Sequence, residues 1–174
     1  MAELFFIPNG PAPTTASQVA VTTGTAIKTM LQAKCGLSVN RVKVVEWGIS
    51  FSGNLTTNVG DAPIICELLT TGTVAATVTA HVAAGIQNLD PLGITPTSGN
   101  PFTFSTTTTG YTATAEGTIT ATRMADVQQV PPYASYVKQW PLGREWAFQP
   151  SEYLRVRVKA AVAVNAICYV VLEV

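Results

Sequence analysis

The side chains able to do acid–base or nucleophilic chemistry are few and form no pattern. The 174-residue chain has one histidine, His81, set in a run of threonine, alanine and valine with no nucleophile signature beside it. A Ser-His-Asp or Cys-His arrangement would have to be built on that single imidazole, and in this setting it reads as a strand or surface histidine. Cys35, Cys66 and Cys168 are far apart and lack Cys-x-x-Cys spacing. They read as buried, reduced thiols, and with one histidine they supply no zinc-ligand set. A glycosidase needs only two carboxylates at the right separation, but nothing marks two of the ten acidic residues. Glu46 and Glu67 fall within strand patterns and are expected to pair with cations on neighbouring strands, Arg155 or Arg157. No glycine-rich phosphate loop occurs. The sequence therefore assigns no catalytic residue, metal or cofactor, and predicts a protein that is not an enzyme.

The aromatic group Trp47, Trp140, Trp146, Tyr133, Tyr136 and Tyr153 admits two readings. Flat rings on a sheet can stack on sugars; more commonly Trp and Tyr anchor cores and interfaces. The sequence predicts the second, with all three tryptophans mostly buried and structural, and keeps a carbohydrate-binding module as the alternative.

These residues sit on strands. From Tyr153 to Lys159 the chain alternates: Leu154, Val156 and Val158 point one way, and Tyr153, Arg155, Arg157 and Lys159 point to a wet or partner-facing side. The run Asn165 to Val174 is apolar on both faces, with Ala166, Cys168, Val170, Leu172 and Val174 on one and Ile167, Tyr169 and Val171 on the other. A strand of that kind is covered on both sides, so Tyr169 and Val171 are candidate interface residues. Within Val39 to Phe51, strict alternation puts Val42, Val44, Glu46 and Gly48 on one face and Lys43, Val45, Trp47, Ile49 and Phe51 on the other; Gly48 hints at a bulge or a close contact. Further strands are predicted over Gln18–Thr23, Thr25–Lys34, Ile64–Leu69, Thr73–Val82, Tyr111–Arg123 and Met124–Val130; over Thr25–Lys34 a short helix competes, since Ile27, Met30, Leu31 and Lys34 also fit helical spacing. Gly85 to Gly110, rich in Pro, Gly and Thr, is an irregular segment that is functional or disordered. About eight to ten short strands with frequent turns and no strong helix pattern mean an antiparallel sandwich or barrel.

The first seventeen residues read differently. Pro8, Pro11 and Pro13 remove backbone donors, yet Leu4, Phe5, Phe6 and Ile7 are strongly apolar. The sequence predicts an extended attachment arm over 1–17 that docks elsewhere through these four side chains, followed by one sandwich domain over 18–174.

Composition narrows the partners. The chain is 47% hydrophobic and 11% charged with zero net charge, against roughly 25% charged residues in an ordinary soluble domain. Ten basic residues balanced by ten acidic ones do not make a phosphate-binding surface, so nucleic acid is not an expected partner. No apolar run is long enough to span a bilayer, and the start of the chain lacks the basic region of a secretion signal. The expectation is a cytoplasmic product that buries surface in an assembly.

Several motifs occur together: Glu46-Trp47-Gly48 on a strand, Ala62 to Leu69 (APIICELL), Asp90-Pro91 closing a loop, Pro141 to Glu145 (PLGRE), and Ala163 to Glu173 (AVNAICYVVLE). From Val39 to Val174 this resembles the small β-sandwich structural proteins of tailed bacteriophages that decorate or cement the head. The resemblance implies a jelly-roll-like sandwich, a homotrimer on the outside of the capsid, and the major capsid protein as partner. It also implies synthesis in the host cytoplasm and a mechanical role in bridging shell subunits. A neck or tail structural protein is the alternative within that class.

Overall fold

The computed structural model describes residues 2–14, 17–37, 41–52, 61–118 and 122–174. Thirteen strands are present among them: β1 (Leu4–Pro8), β2 (Val21–Thr22), β3 (Lys28–Lys34), β4 (Val42–Ser52), β5 (Ile64–Thr71), β6 (Thr77–Ala80), β7 (Gln87–Asn88), β8 (Gly110–Ala115), β9 (Thr122–Val130), β10 (Ser135–Gln139), β11 (Trp146–Phe148), β12 (Tyr153–Lys159) and β13 (Asn165–Glu173). The only helical element described is one 3-10 turn, Ala83–Gly85. All pairings are antiparallel. One sheet runs β10-β4-β13-β1-β7, with β11 also on β4 and β2 also on β13; the other runs β6-β8-β3-β12-β5-β9. Successive strands cross repeatedly between the sheets, and the protein is an all-β sandwich.

The core between the sheets is built from the apolar parity of each strand. From the seven-stranded sheet come Phe5 and Ile7 of β1, Val42, Val44 and Trp47 of β4, and Ala166 to Leu172 at alternate positions of β13; from the other come Leu68, Leu154 and Val156. In β4 the alternation breaks. Val171 lies opposite Glu46, but its neighbour Leu172 lies opposite Val44, so Val45 is an extra residue in a bulge. The bulge shifts the parity by one. Val42 and Val44 therefore face inward together with Trp47, Ile49 and Phe51, while Glu46 and Gly48 face outward. Strict alternation had separated the two valines from the tryptophan; the change from even to odd apolar positions between 44 and 47 is the mark of the bulge in the sequence.

The predicted attachment arm is corrected in its apolar part. Leu4–Pro8 lies inside the seven-stranded sheet, between β13 and β7. Glu3 and Val174 exchange both backbone bonds, and Asn9 N–H donates to Cys168 O at 2.9 Å. Odd-numbered residues thus bond toward β13 and even-numbered ones away from it. The donor missing at Pro8 falls on the side away from β13, so this proline removes no bond between the two strands. Its carbonyl accepts from His81 Nε2 at 2.9 Å.

The irregular segment between Gly85 and Gly110 also serves the core. Phe102 is fully buried and Phe104 nearly so, and Phe5 meets Phe102 edge to face with ring centroids 5.3 Å apart. Backbone bonds from Gly36 N–H to Pro101 O and from Thr103 N–H to Lys34 O hold the segment along the end of β3.

On the outward side of the six-stranded sheet, the part around Arg155 and Gln32 is covered by a flap of the chain's own segments, residues 74–80 with β6 and residues 107–116 with β8. Arg155, predicted to face water or a partner, is 0% exposed. Its Nη2 donates to Val74 O at 2.6 Å and its Nη1 to Glu116 O at 3.1 Å, with Glu116 Oε2 at 3.4 Å. Beside it, Gln32 Oε1 accepts from Ala76 N–H at 2.8 Å, and Gln32 Nε2 donates to Thr107 O and Thr108 O, each at 2.9 Å. Ala76, Val78 and Ala113 form a small second apolar cluster in this flap.

Candidate interaction surface

The outward face of the seven-stranded sheet gathers four of the six anticipated attachment residues. Reading across the strands, one row is Gln139, Glu46, Val171, Phe6 and Gln87; the next is Val137, Gly48, Tyr169 and Pro8. Leu4 and Ile167 lie at the two ends of the patch, opposite Glu173 and Ser50. Leu89 adjoins Leu4, whose carbonyl accepts the Leu89 N–H at 2.8 Å. Val137, Leu89, Ile167 and Leu4 are exposed, and Phe6, Tyr169 and Val171 are half-buried. Phe5 and Ile7 point the other way and are 0% exposed in the core, so the structure removes them from the attachment set.

Gly48 sets the shape of this face. A Cβ on it would lie 2.6 Å from Tyr169 Cε1, a separation that no side chain tolerates. With no side chain there, the Tyr169 ring lies across the strand and meets Phe6 at 5.2 Å with the planes 30° apart. The result is a low, aromatic floor. The close contact suggested by a glycine within a strand is thus with Tyr169.

The charged groups on this face find partners within the chain. Lys43 Nζ is 2.5 Å from Glu173 Oε1 and 3.9 Å from Glu145 Oε2. Tyr169 O–H donates to Glu46 Oε1 at 2.5 Å. Burial, then the adjacent carboxylate, push the Tyr169 phenol up to about 12. Glu46 therefore pairs with a phenol rather than with an arginine. The anticipated arginine–carboxylate pair forms on the other sheet, where Arg157 Nη2 donates to Glu67 Oε2 at 2.6 Å.

Three other groups hold the scaffold. Asp126, on the edge strand β9, accepts from Trp47 Nε1 at 3.1 Å and Tyr136 O–H at 2.9 Å on one oxygen, and from Gln128 Nε2 at 3.1 Å on the other, with Lys138 Nζ also at 3.1 Å. This carboxylate ties the edge of one sheet to the other. Burial alone would raise its pKa, but bonds from Gln128, Lys138 and Tyr136 and the lysine charge outweigh burial and hold it below the usual carboxylate value. Of the three tryptophans only Trp47 is fully buried; Trp140 and Trp146 are half-buried. Lys138 lies over the Trp140 ring at 5.0 Å and Arg123 over the Trp146 ring at 5.2 Å. Burial raises the pKa of all three thiols, that of Cys66 to about 12. Among the described residues no three of His, Cys, Asp and Glu converge to hold a metal ion, and no helix is long and apolar enough to cross a membrane.

His81 is buried, 1% exposed, rather than at the surface. Since Pro8 O can only accept, Nε2 carries the proton, and Nδ1 has no hydrogen-bond partner. Burial lowers its pKa from 6.5 to about 4, against a smaller opposing effect of the bond to Pro8. The unfolded chain thus takes up a proton near pH 6.5 that the folded chain refuses until about pH 4. Stability should be unaffected by this group above pH 6.5, fall between the two values, and level off below them, by about 3 kcal/mol in all. His81→Gln, whose amide can still reach Pro8 O, is expected to flatten that part of a denaturant-midpoint-against-pH curve. An unchanged slope would show that His81 does not carry it.

An all-β sandwich with an apolar patch on one outward face is the class that fold and surface define. No protein-family model matches the chain, and no curated protein matches it.

Proposed function

We propose that the protein is a structural subunit of a bacteriophage particle, of the kind that decorates or cements the head, with copies of itself and the major capsid protein as partners. The observation that supports this most is the outward face of the seven-stranded sheet. It carries Val137, Ile167, Tyr169, Val171, Leu4 and Phe6, its charged groups have partners within the chain, and the scaffold beneath it is held by Asp126 and His81. A mechanical role needs a stiff body and a face that gains by losing water; it needs no reacting group. The sequence motifs from Glu46 to Glu173 supply the likeness to head proteins. The glycan-platform alternative draws less support, because each half-exposed tryptophan carries a cation over its ring.

The test is co-sedimentation of the purified chain with head shells assembled from the capsid protein encoded in the same genome. Saturable retention at micromolar protein, with a rise in the shells' melting temperature, is the expected result. Shells that sediment bare would reject the head-surface reading, and retention on isolated necks or tails instead would move the protein there.

A further inference from the structure

We propose that the outward face of the seven-stranded sheet is covered by the same face of a second copy of this chain, in a two-fold pair. The inference deepens the functional reading above and rests on it only in treating this face as an assembly surface.

The sheet edges leave little room for a partner to add a strand. β7 has two residues and β6 four, with a register break. β9 is long, nine residues, but it is bulged opposite Leu68–Leu69 and turns Asp126 inward. Bulges, short strands and inward charges are devices that block edge-to-edge pairing. β10 is short and carries Lys138. Contact is therefore directed to the face.

The charged groups on the face are tied down within the chain. Lys43 is taken by Glu173 and Glu145, and the Glu46 carboxylate accepts from Tyr169 O–H, so each already has a hydrogen-bonding or ionic partner when the face meets a second copy. The Tyr169 ring laid over Gly48 keeps the centre low, which suits two sheets stacked about 10 Å apart. A two-fold axis through this centre sets Phe6, Tyr169 and Val171 of one copy against the same group of the other, as a self-complementary interface requires. The patch spans four adjacent strands and about six residues along them, or about 400 Å² in projection at strand spacings of ~4.8 Å and rises of ~3.4 Å. Two such faces with their side-chain relief, extended by Leu89, come to about the 1,000 Å² that a specific interface needs.

The experiment is sedimentation equilibrium on the full chain and on Val137→Lys/Ile167→Lys. Both positions are exposed, 56% and 38%, so matching thermal melts will show that the double variant is folded. The expected masses are twice 18.3 kDa for the wild type and a single subunit for the variant. Mixing the lysine variant with Val137→Glu/Ile167→Glu should restore the pair, because opposite charges then meet across the axis. Four results would each overturn the proposal. These are a wild type of single mass at high micromolar concentration, a mass of three subunits as the resemblance implies, a pair that survives both lysines, and a monomer retained by an insoluble polysaccharide column through the same residues. Shell co-sedimentation reads the functional proposal separately: a pair that ignores shells keeps this inference and removes that one, and a monomer that binds shells does the reverse.

Discussion

A chain shortened to begin at Gln18 is expected to be unfolded under conditions in which the full chain is native. The deletion removes β1 from between β13 and β7, and with it Phe5 and Ile7, both 0% exposed. It also removes the Asn9 side chain, which donates to Ala166 O at 3.2 Å and accepts from Cys168 N–H at 2.9 Å, and the Pro8 carbonyl that satisfies His81. Losing a buried Phe costs about 3–5 kcal/mol and a buried Ile about 2–5. Against a net stability of about 5–15 kcal/mol for a typical domain, those two losses alone are decisive. Far-ultraviolet circular dichroism and a denaturant titration check it. Phe5→Ala in the full chain should lower stability by about 3–5 kcal/mol, and Leu4→Ala, on the outward face, by less than about 1. A shortened chain that melts cooperatively near the full-length temperature would restore the separable arm that the prolines suggest.

Arg155→Ala is expected to cost about 3 kcal/mol, because it removes a fully buried side chain together with charge-assisted hydrogen bonds, each worth about 1.5–3 kcal/mol. The quarter-exposed Glu116 is not left as a buried charge. Arg155 has no exposed surface, and its guanidinium holds Val74 O, Glu116 O and the Glu116 carboxylate. Truncation removes one donor from each of those acceptors and opens a space under the flap. Glu116 keeps Thr29, whose hydroxyl donates at 2.6 Å, and Val74 O keeps the Thr71 hydroxyl at 3.0 Å, so the flap should loosen at both ends rather than detach. Hydrogen exchange in β6 and β8 should rise by more than in β13. Arg155→Met, which fills the space without the charge, should lose less than the alanine. Equal losses for the two variants would mean that the hydrogen bonds, not volume, matter at this position.

Much of the architecture was legible because period-two patterning carries over directly into faces. β12 and β13 present the residues their alternation predicts, and Ile167, Tyr169 and Val171 share the outward side. Local patterning could not supply what covers a face. Arg155 reads as a wet position, and its partners lie 39 and 81 residues away in sequence. β1 was misread for a related reason. Prolines are judged by the donor they lack, but the cost depends on which side of the strand that donor would have faced, and at Pro8 it faces away from β13. The candidate surface was half visible: Leu4, Phe6, Tyr169 and Val171 were legible from excess apolarity, whereas Val137 and Leu89 come from short strands and loops whose place in the sheet only the pairing reveals.

The centre of the seven-stranded sheet is assembled from opposite ends of the sequence. β13 lies between β4 and β1, and Asn9 meets Cys168 across 159 residues. During synthesis β1 and β4 emerge long before the strand that joins them. At ordinary elongation rates of about 5–20 residues per second, they wait several seconds with Phe5, Ile7 and Trp47 uncovered. So high a contact order makes for slow folding, and this sandwich should form late and all at once. Chains stalled before Asn165 should be the ones that chaperones retain.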